Sequence, residues 1–124
     1  MANPVIHIEH MSSNPEKGMN FYTKLFDWKV EDMAVPDDDP YKVVISKDSP
    51  NIGFLGVPNS TRPSWLTYIR VDDIKASVVK AKELGATIVE DIAAFGEYGW
   101  SSVISDPTGA VFAIWQYREN QAEH

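Results

Sequence analysis

The chain has 124 residues, 44% of them apolar and 23% charged, and this is the composition of one globular domain long enough to bury its own core. Its 11 Lys and Arg are scattered and outnumbered by 18 Asp and Glu, for a formal charge of −7, which argues against a protein that tracks nucleic-acid phosphates. With no cysteine there is no disulfide, thiolate nucleophile or Cys-ligated metal; no apolar run approaches a membrane span, and Met1–Pro4 shows no signal-peptide pattern, so a cytoplasmic protein without membrane partners is expected.

Val5 to Met11 alternates, with Ile6 and Ile8 on one face and His7 and Glu9 on the other, which is the period of a half-buried strand. A helix start follows. Ser13 and Glu16 have capping-box spacing, and Asn14-Pro15 offers an alternative cap with proline in the first turn. Met19, Tyr22 and Phe26 recur at helical spacing beside Leu25 and read as a core stripe. Three strands are expected at Trp28–Glu31, Tyr41–Ile45 and Ile52–Val57, with the acidic run Asp37-Asp38-Asp39 between two prolines as a solvated turn. Pro58 to Pro63 is a linker within the domain.

Trp65 to Val71 reads as the next strand. Asp72 or Asp73 caps a helix with a stripe of Ile74, Val78 and Ala81, and Gly85 supplies its left-handed stop. Thr87–Val89 is a strand, and Phe95–Gly99 a glycine-bearing loop. Trp100–Ser105 and Val111–Tyr117 form a hairpin around the turn Asp106-Pro107-Thr108-Gly109. The tail from Glu119 to His124 is expected to fray.

Displaced by 59 positions, the sequence matches itself: Met19 falls on Val78, Leu25 on Leu84, Val30-Glu31-Asp32 on Val89-Glu90-Asp91, and His7 on Leu66. An internal repeat fixes the architecture. The expectation is α+β, a single domain over residues 1–124, built from two βαβββ modules at 5–57 and 64–117.

Several stretches taken in order carry a family resemblance. They are Phe21-Tyr22 with Leu25-Phe26-Asp27-Trp28, Val71-Asp72-Asp73-Ile74, Glu83-Leu84-Gly85-Ala86 and Asp106-Pro107-Thr108-Gly109-Ala110. In these the chain resembles the vicinal oxygen chelate superfamily, which includes glyoxalase I, extradiol dioxygenases and drug-resistance proteins. The resemblance implies two modules whose sheets curl around a cavity, with metal ligands, where present, at equivalent positions of the first and fourth strands. Those positions align with His7, Phe54, Leu66 and Ala113, and three of the four carry no donor atom. Neither a metal nor another cofactor is therefore expected.

Without a metal, His7 and Glu9 remain as candidate catalytic or anchoring groups, since imidazole titrates near neutral pH unaided. Alternation groups His7 and Glu9 with Phe54, with Leu66 and Tyr68, and with Ala113 and Trp115; Trp100 and Ser102 are expected to join from the seventh strand. Apolar walls with a few polar groups describe a small-molecule site, although the same side chains also suit an ordinary core. Three functions stay open: metal-independent binding of an aromatic or amphiphilic compound, a glyoxalase-like enzyme using His7 and Glu9, and a structural module with a closed cavity. The resemblance further implies a homodimer.

Overall fold

The computed structural model describes residues 3–118, and the expected fraying of Glu119–His124 lies outside them. The fold is α+β and repeats βαβββ twice. The first module runs β1 (Val5–Ser12), α1 (Pro15–Leu25), β2 (Glu31–Met33), β3 (Tyr41–Val44) and β4 (Asn51–Gly56). The second runs β5 (Ser64–Arg70), α2 (Ile74–Glu83), β6 (Thr87–Phe95), β7 (Gly99–Ser105) and β8 (Val111–Tyr117). Residues 6–66 pack as one compact unit, and residues 67–118, joined by residues 3–5, pack as the other. Among the described residues no helix is long and apolar enough to cross a membrane.

Within the first unit the strand order is β2-β3-β4-β1, with β1 parallel to β4 and the remaining pairs antiparallel. Asn14 caps α1, its side chain accepting from the Lys17 N–H, with Pro15 in the first turn. The capping-box alternative at Ser13 is not used. Helix α1 ends at Leu25, one residue before the last member of the expected stripe. Phe26 is already extended, at φ −121° and ψ 160°, and stacks beside Tyr22 and Trp28 at the surface. Leu25 and Phe26 are therefore exposed rather than core. The expected strand at Trp28–Glu31 begins later, at Glu31.

Within the second unit the order is β5-β8-β7-β6. Asp73 is the cap of α2, accepting from Ala76 N–H, and Gly85 closes the helix at φ 98°. Val71, Ile74, Ile104 and Ile114 form a buried cluster here, with Val78, Ala81, Trp100 and Phe112 packed on it. The β7–β8 turn forms as read. Asp106 Oδ1 accepts from the Thr108 N–H, the Thr108 hydroxyl and the Ala110 N–H, and these bonds, the Thr108 hydroxyl first, hold the exposed carboxyl below its ordinary pKa. Strand β6 is longer than expected, reaching Phe95, and its ladder with β7 is irregular around Glu90.

Candidate functional site

Strand β1 presents two different faces. One carries His10, which packs against Tyr22 of α1, Phe54 of β4 and Trp65, at ring-centroid distances of 5.5, 5.4 and 5.0 Å. The helix comes so close that a Cβ at Gly18 would lie 2.8 Å from His10 Cε1. Burial is the dominant influence on this ring and holds its pKa below the ordinary histidine value. His10 Nδ1 is buried without a partner among the described residues.

The other face carries His7 and Glu9. Glu9 is 5% exposed. Its Oε1 lies 2.9 Å from His7 Nε2, and the same Nε2 lies 2.8 Å from the Tyr41 hydroxyl. Tyr41 closes the triangle by donating to Glu9 Oε1. A buried carboxylate is thus held by an imidazole and a phenol, as a buried charge requires. His7 and Glu9 are brought together as the alternation implies. Tyr41, on β3, is the member sequence reading missed.

Gly53 makes the cluster sterically possible. In the parallel register Glu9 faces Gly53, and a Cβ there would fall on the Tyr41 hydroxyl and 2.6 Å from Glu9 Oε1. The phenol therefore occupies the room that a side chain on β4 would need. This also corrects the repeat. In the second module Tyr68 pairs with Ala113, and Ile114 is the β8 residue turned to α2. In the first module His10 pairs with Phe54 on the helix side and Glu9 with Gly53 on the other. The counterpart of Ala113 is consequently Gly53, not Phe54. The displacement is 59 residues on the first strands and 60 on the fourth.

Three expected site residues lie on the helix-facing side instead. Phe54 is packed on His10 and Tyr22. Trp100 packs on the α2 cluster. Ser102 pairs with Ile114, is buried, and donates its hydroxyl to Glu90 O at 2.7 Å, where the β6 ladder is irregular. The β7–β8 register explains the reversal: Val103 and Ser101, not Ser102 and Trp100, stand opposite Ala113 and Trp115. Leu66 is buried, Ala113 fully so, and Tyr68 is half-buried beside Ala113. Trp115 lies on Ala113's face, with Phe95 and Tyr117 as ring neighbours.

The residues present do not fit the metal that the resemblance brings with it. Gly53, Leu66 and Ala113 supply no side-chain donor, and His7 Nε2 and Glu9 Oε1 are bonded to each other rather than directed at a shared ion. Among the described residues no three His, Asp or Glu side chains gather as a ligand set. What the cluster can do unaided is accept or donate a hydrogen bond and relay a proton.

Known proteins resemble this chain along nearly its full length. The family profile of the glyoxalase-like domain matches residues 7–115. Protein CFP32 of Mycobacterium bovis, whose name assigns it provisionally to the glyoxylases, is 30% identical over 114 residues, covering 88% of this chain and 44% of the relative. The chain thus spans under half the length of that relative. The anthracycline biosynthesis protein DnrV of Streptomyces peucetius is 38% identical over 65 residues, covering 52% of this chain and 23% of its own. Among solved structures, methylmalonyl-CoA epimerase from Mycobacterium tuberculosis has the same fold, with a TM-score of 0.70 at 14% identity and coverage of 97% and 91%. BH1468 from Bacillus halodurans C-125 gives 0.72 at 15% identity, with coverage of 96% and 97%.

Proposed function

Because the chain belongs to the glyoxalase-like domain family of the vicinal oxygen chelate superfamily, we propose that it binds an aromatic or amphiphilic small molecule without a metal, with His7, Glu9 and Tyr41 as its polar anchor. One observation carries the reading: at the strand position where the resemblance places a metal ligand, His7 is instead bonded to Glu9 and Tyr41. A compact polar cluster with donors and acceptors suits a ligand bearing a carbonyl or hydroxyl, and apolar contact would supply most of the affinity, at roughly 25 cal/mol per Å2 before the costs of binding. DnrV, a relative named for anthracycline biosynthesis, is consistent with a planar aromatic ligand. The same reading takes the protein as a cytoplasmic homodimer.

A second reading is supported by the double contact of His7 Nε2, since a proton can pass between phenol, imidazole and carboxylate. In that case the cluster is the acid/base of a metal-free enzyme. One experiment separates the two. A library of aromatic and amphiphilic compounds is screened by quenching of the four tryptophans, and each hit is followed with the wild type and His7→Ala. Binding is expected to weaken by about fivefold, the loss of one neutral hydrogen bond, with the hit recovered unchanged. Turnover that collapses in His7→Ala at unchanged affinity would establish the enzyme instead. A hit whose affinity ignores His7, Glu9 and Tyr41 alike would refute both.

A further inference from the structure

The second module places a different chemistry on the face that corresponds to the His7 face. Arg70 and Trp115 are register partners on β5 and β8, and Tyr117 follows Trp115 on the same face. Gly99 of β7 stands opposite Tyr117 and pairs with Phe95 on its other side. The indole of Trp115 lies over that glycine: a Cβ at Gly99 would come within 2.7 Å of Trp115 Cζ2. Phe95 and Tyr117 meet the indole edge-on, with centroids at 6.3 and 5.8 Å. Such T-shaped neighbours fix a ring firmly.

Among the described residues two hydrogen-bond donors on this platform have no acceptor. The Trp115 indole N–H is buried and unpaired among the described residues. Arg70 has its guanidinium carbon 5.4 Å from the Tyr117 ring centroid, and the two ion pairs among the described residues, His7–Glu9 and Lys42–Asp32, do not include it. Among the described residues no carboxylate is paired with it. The backbone of Arg70 is pinned as well. Its N–H donates to Pro4 O and its carbonyl accepts from Asn3 Nδ2, both at 2.9 Å. Burial raises the pKa of Tyr117, with Arg70 opposing, so the phenol stays neutral beside the guanidinium.

We propose that this face is an anion-reading aromatic subsite, in which the Arg70 guanidinium and the Trp115 indole N–H receive the carboxylate of a planar aromatic acid lying against Trp115 and Tyr117. The inference rests on the proposed small-molecule function and names its ligand class. Both polar groups are donors, so the complement is an acceptor-only group with negative charge. The guanidinium binds a carboxylate in the plane of its fork, and the rings beside it accept a flat apolar body. An outside acceptor also relieves the desolvation cost of the unpaired indole N–H.

The test is calorimetric titration of the full chain with 2-naphthoate and with its neutral counterpart, 2-naphthalenemethanol. Wild-type protein should bind the acid about tenfold more tightly than the alcohol, as one charge-assisted hydrogen bond implies. Arg70→Gln should erase that preference and Arg70→Lys should restore part of it. Trp115→Phe should weaken the acid more than the alcohol. An unchanged melting transition confirms that each variant folds. Equal affinities in the wild type, or an acid affinity untouched by Arg70→Gln, would overturn the subsite while leaving the proposed function standing, since an aromatic body is still bound. If neither probe binds at millimolar concentration, the subsite is refuted and the proposed function rests on its own screen.

Discussion

Helix α2 sends Ile74 into a buried cluster with Val71, Ile104 and Ile114, whereas α1 buries none of its residues and leaves Phe21 and Leu25 59% and 58% exposed. The sheet faces turned away from the helices differ in the opposite sense. The first module places a buried carboxylate, an imidazole and a phenol around Gly53; the second places fully buried Ala113 at the corresponding point. One topology thus serves two ends: in the second module the helix closes over an apolar cluster, and in the first, beside buried Val43, Val44 and Phe54, the other sheet face gathers a buried carboxylate, an imidazole and a phenol. Polar clusters are costly when incomplete, so the first module should be sensitive at its polar groups and the second at its aliphatic ones.

The largest effect is expected in the apolar module. Ile104→Ala should cost about 2–5 kcal/mol of stability through lost transfer energy and an unfilled cavity. Leu25→Ala on α1 should stay within about 0.5 kcal/mol, as exposed substitutions do. Urea unfolding of both variants measures the difference, and similar losses would erase the contrast. Next comes Gly53→Ala, which forces Tyr41 off Glu9 and should cost about 1–3 kcal/mol. The same change made in Tyr41→Ala should cost less, because the ring collision is gone and only the Glu9 carboxylate, 2.6 Å from the new Cβ, must shift. Additive losses in that double variant would mean that Gly53 is needed for some other reason.

These residues also mark what was legible in the sequence. His7 and Glu9 were readable because strand alternation alone puts them on one face. The helix starts to within one residue (Ser13 or Asn14, Asp72 or Asp73), Gly85 as a stop and the Asp106–Gly109 turn were readable because their chemistry is local. Tyr41 was not, because its bond to Glu9 spans 32 positions and depends on how β3 and β4 pair. Phe54 was misplaced because the repeat gains one residue before the fourth strand, and a one-residue slip moves a strand residue to the opposite face. Trp100 and Ser102 were misplaced for a related reason. The β7–β8 register sets Ser102 opposite Ile114, and Ile104, two residues on, is deep in the α2 cluster. Its apolar character was the signal that Trp100, Ser102 and Ile104 share the helix side.

Smaller effects sharpen the comparison within the first module. Tyr41→Phe removes one hydrogen bond to a buried carboxylate and should cost about 1–3 kcal/mol, read by the same unfolding experiment. His10 should give a pH signature of its own. Its pKa is lowered in the folded state, so the unfolded chain binds the proton more tightly. Its contribution to stability is therefore complete above the unfolded value of about 6.5 and is lost as pH falls through that value toward the folded one. His10→Phe, surrounded by Tyr22, Phe54 and Trp65, should flatten this part of the stability–pH curve below about pH 6.5. A slope that survives the substitution would place the titration elsewhere.

The proposed ligand anchor of His7, Glu9 and Tyr41 works without a metal. The most direct measurement is the affinity of a screened ligand for protein dialysed against a chelator, compared with the same protein supplemented with zinc, nickel, manganese or iron(II). One affinity is expected in every case, weakened about fivefold by His7→Ala. Binding that disappears with the chelator and returns with one of these metals would contradict it.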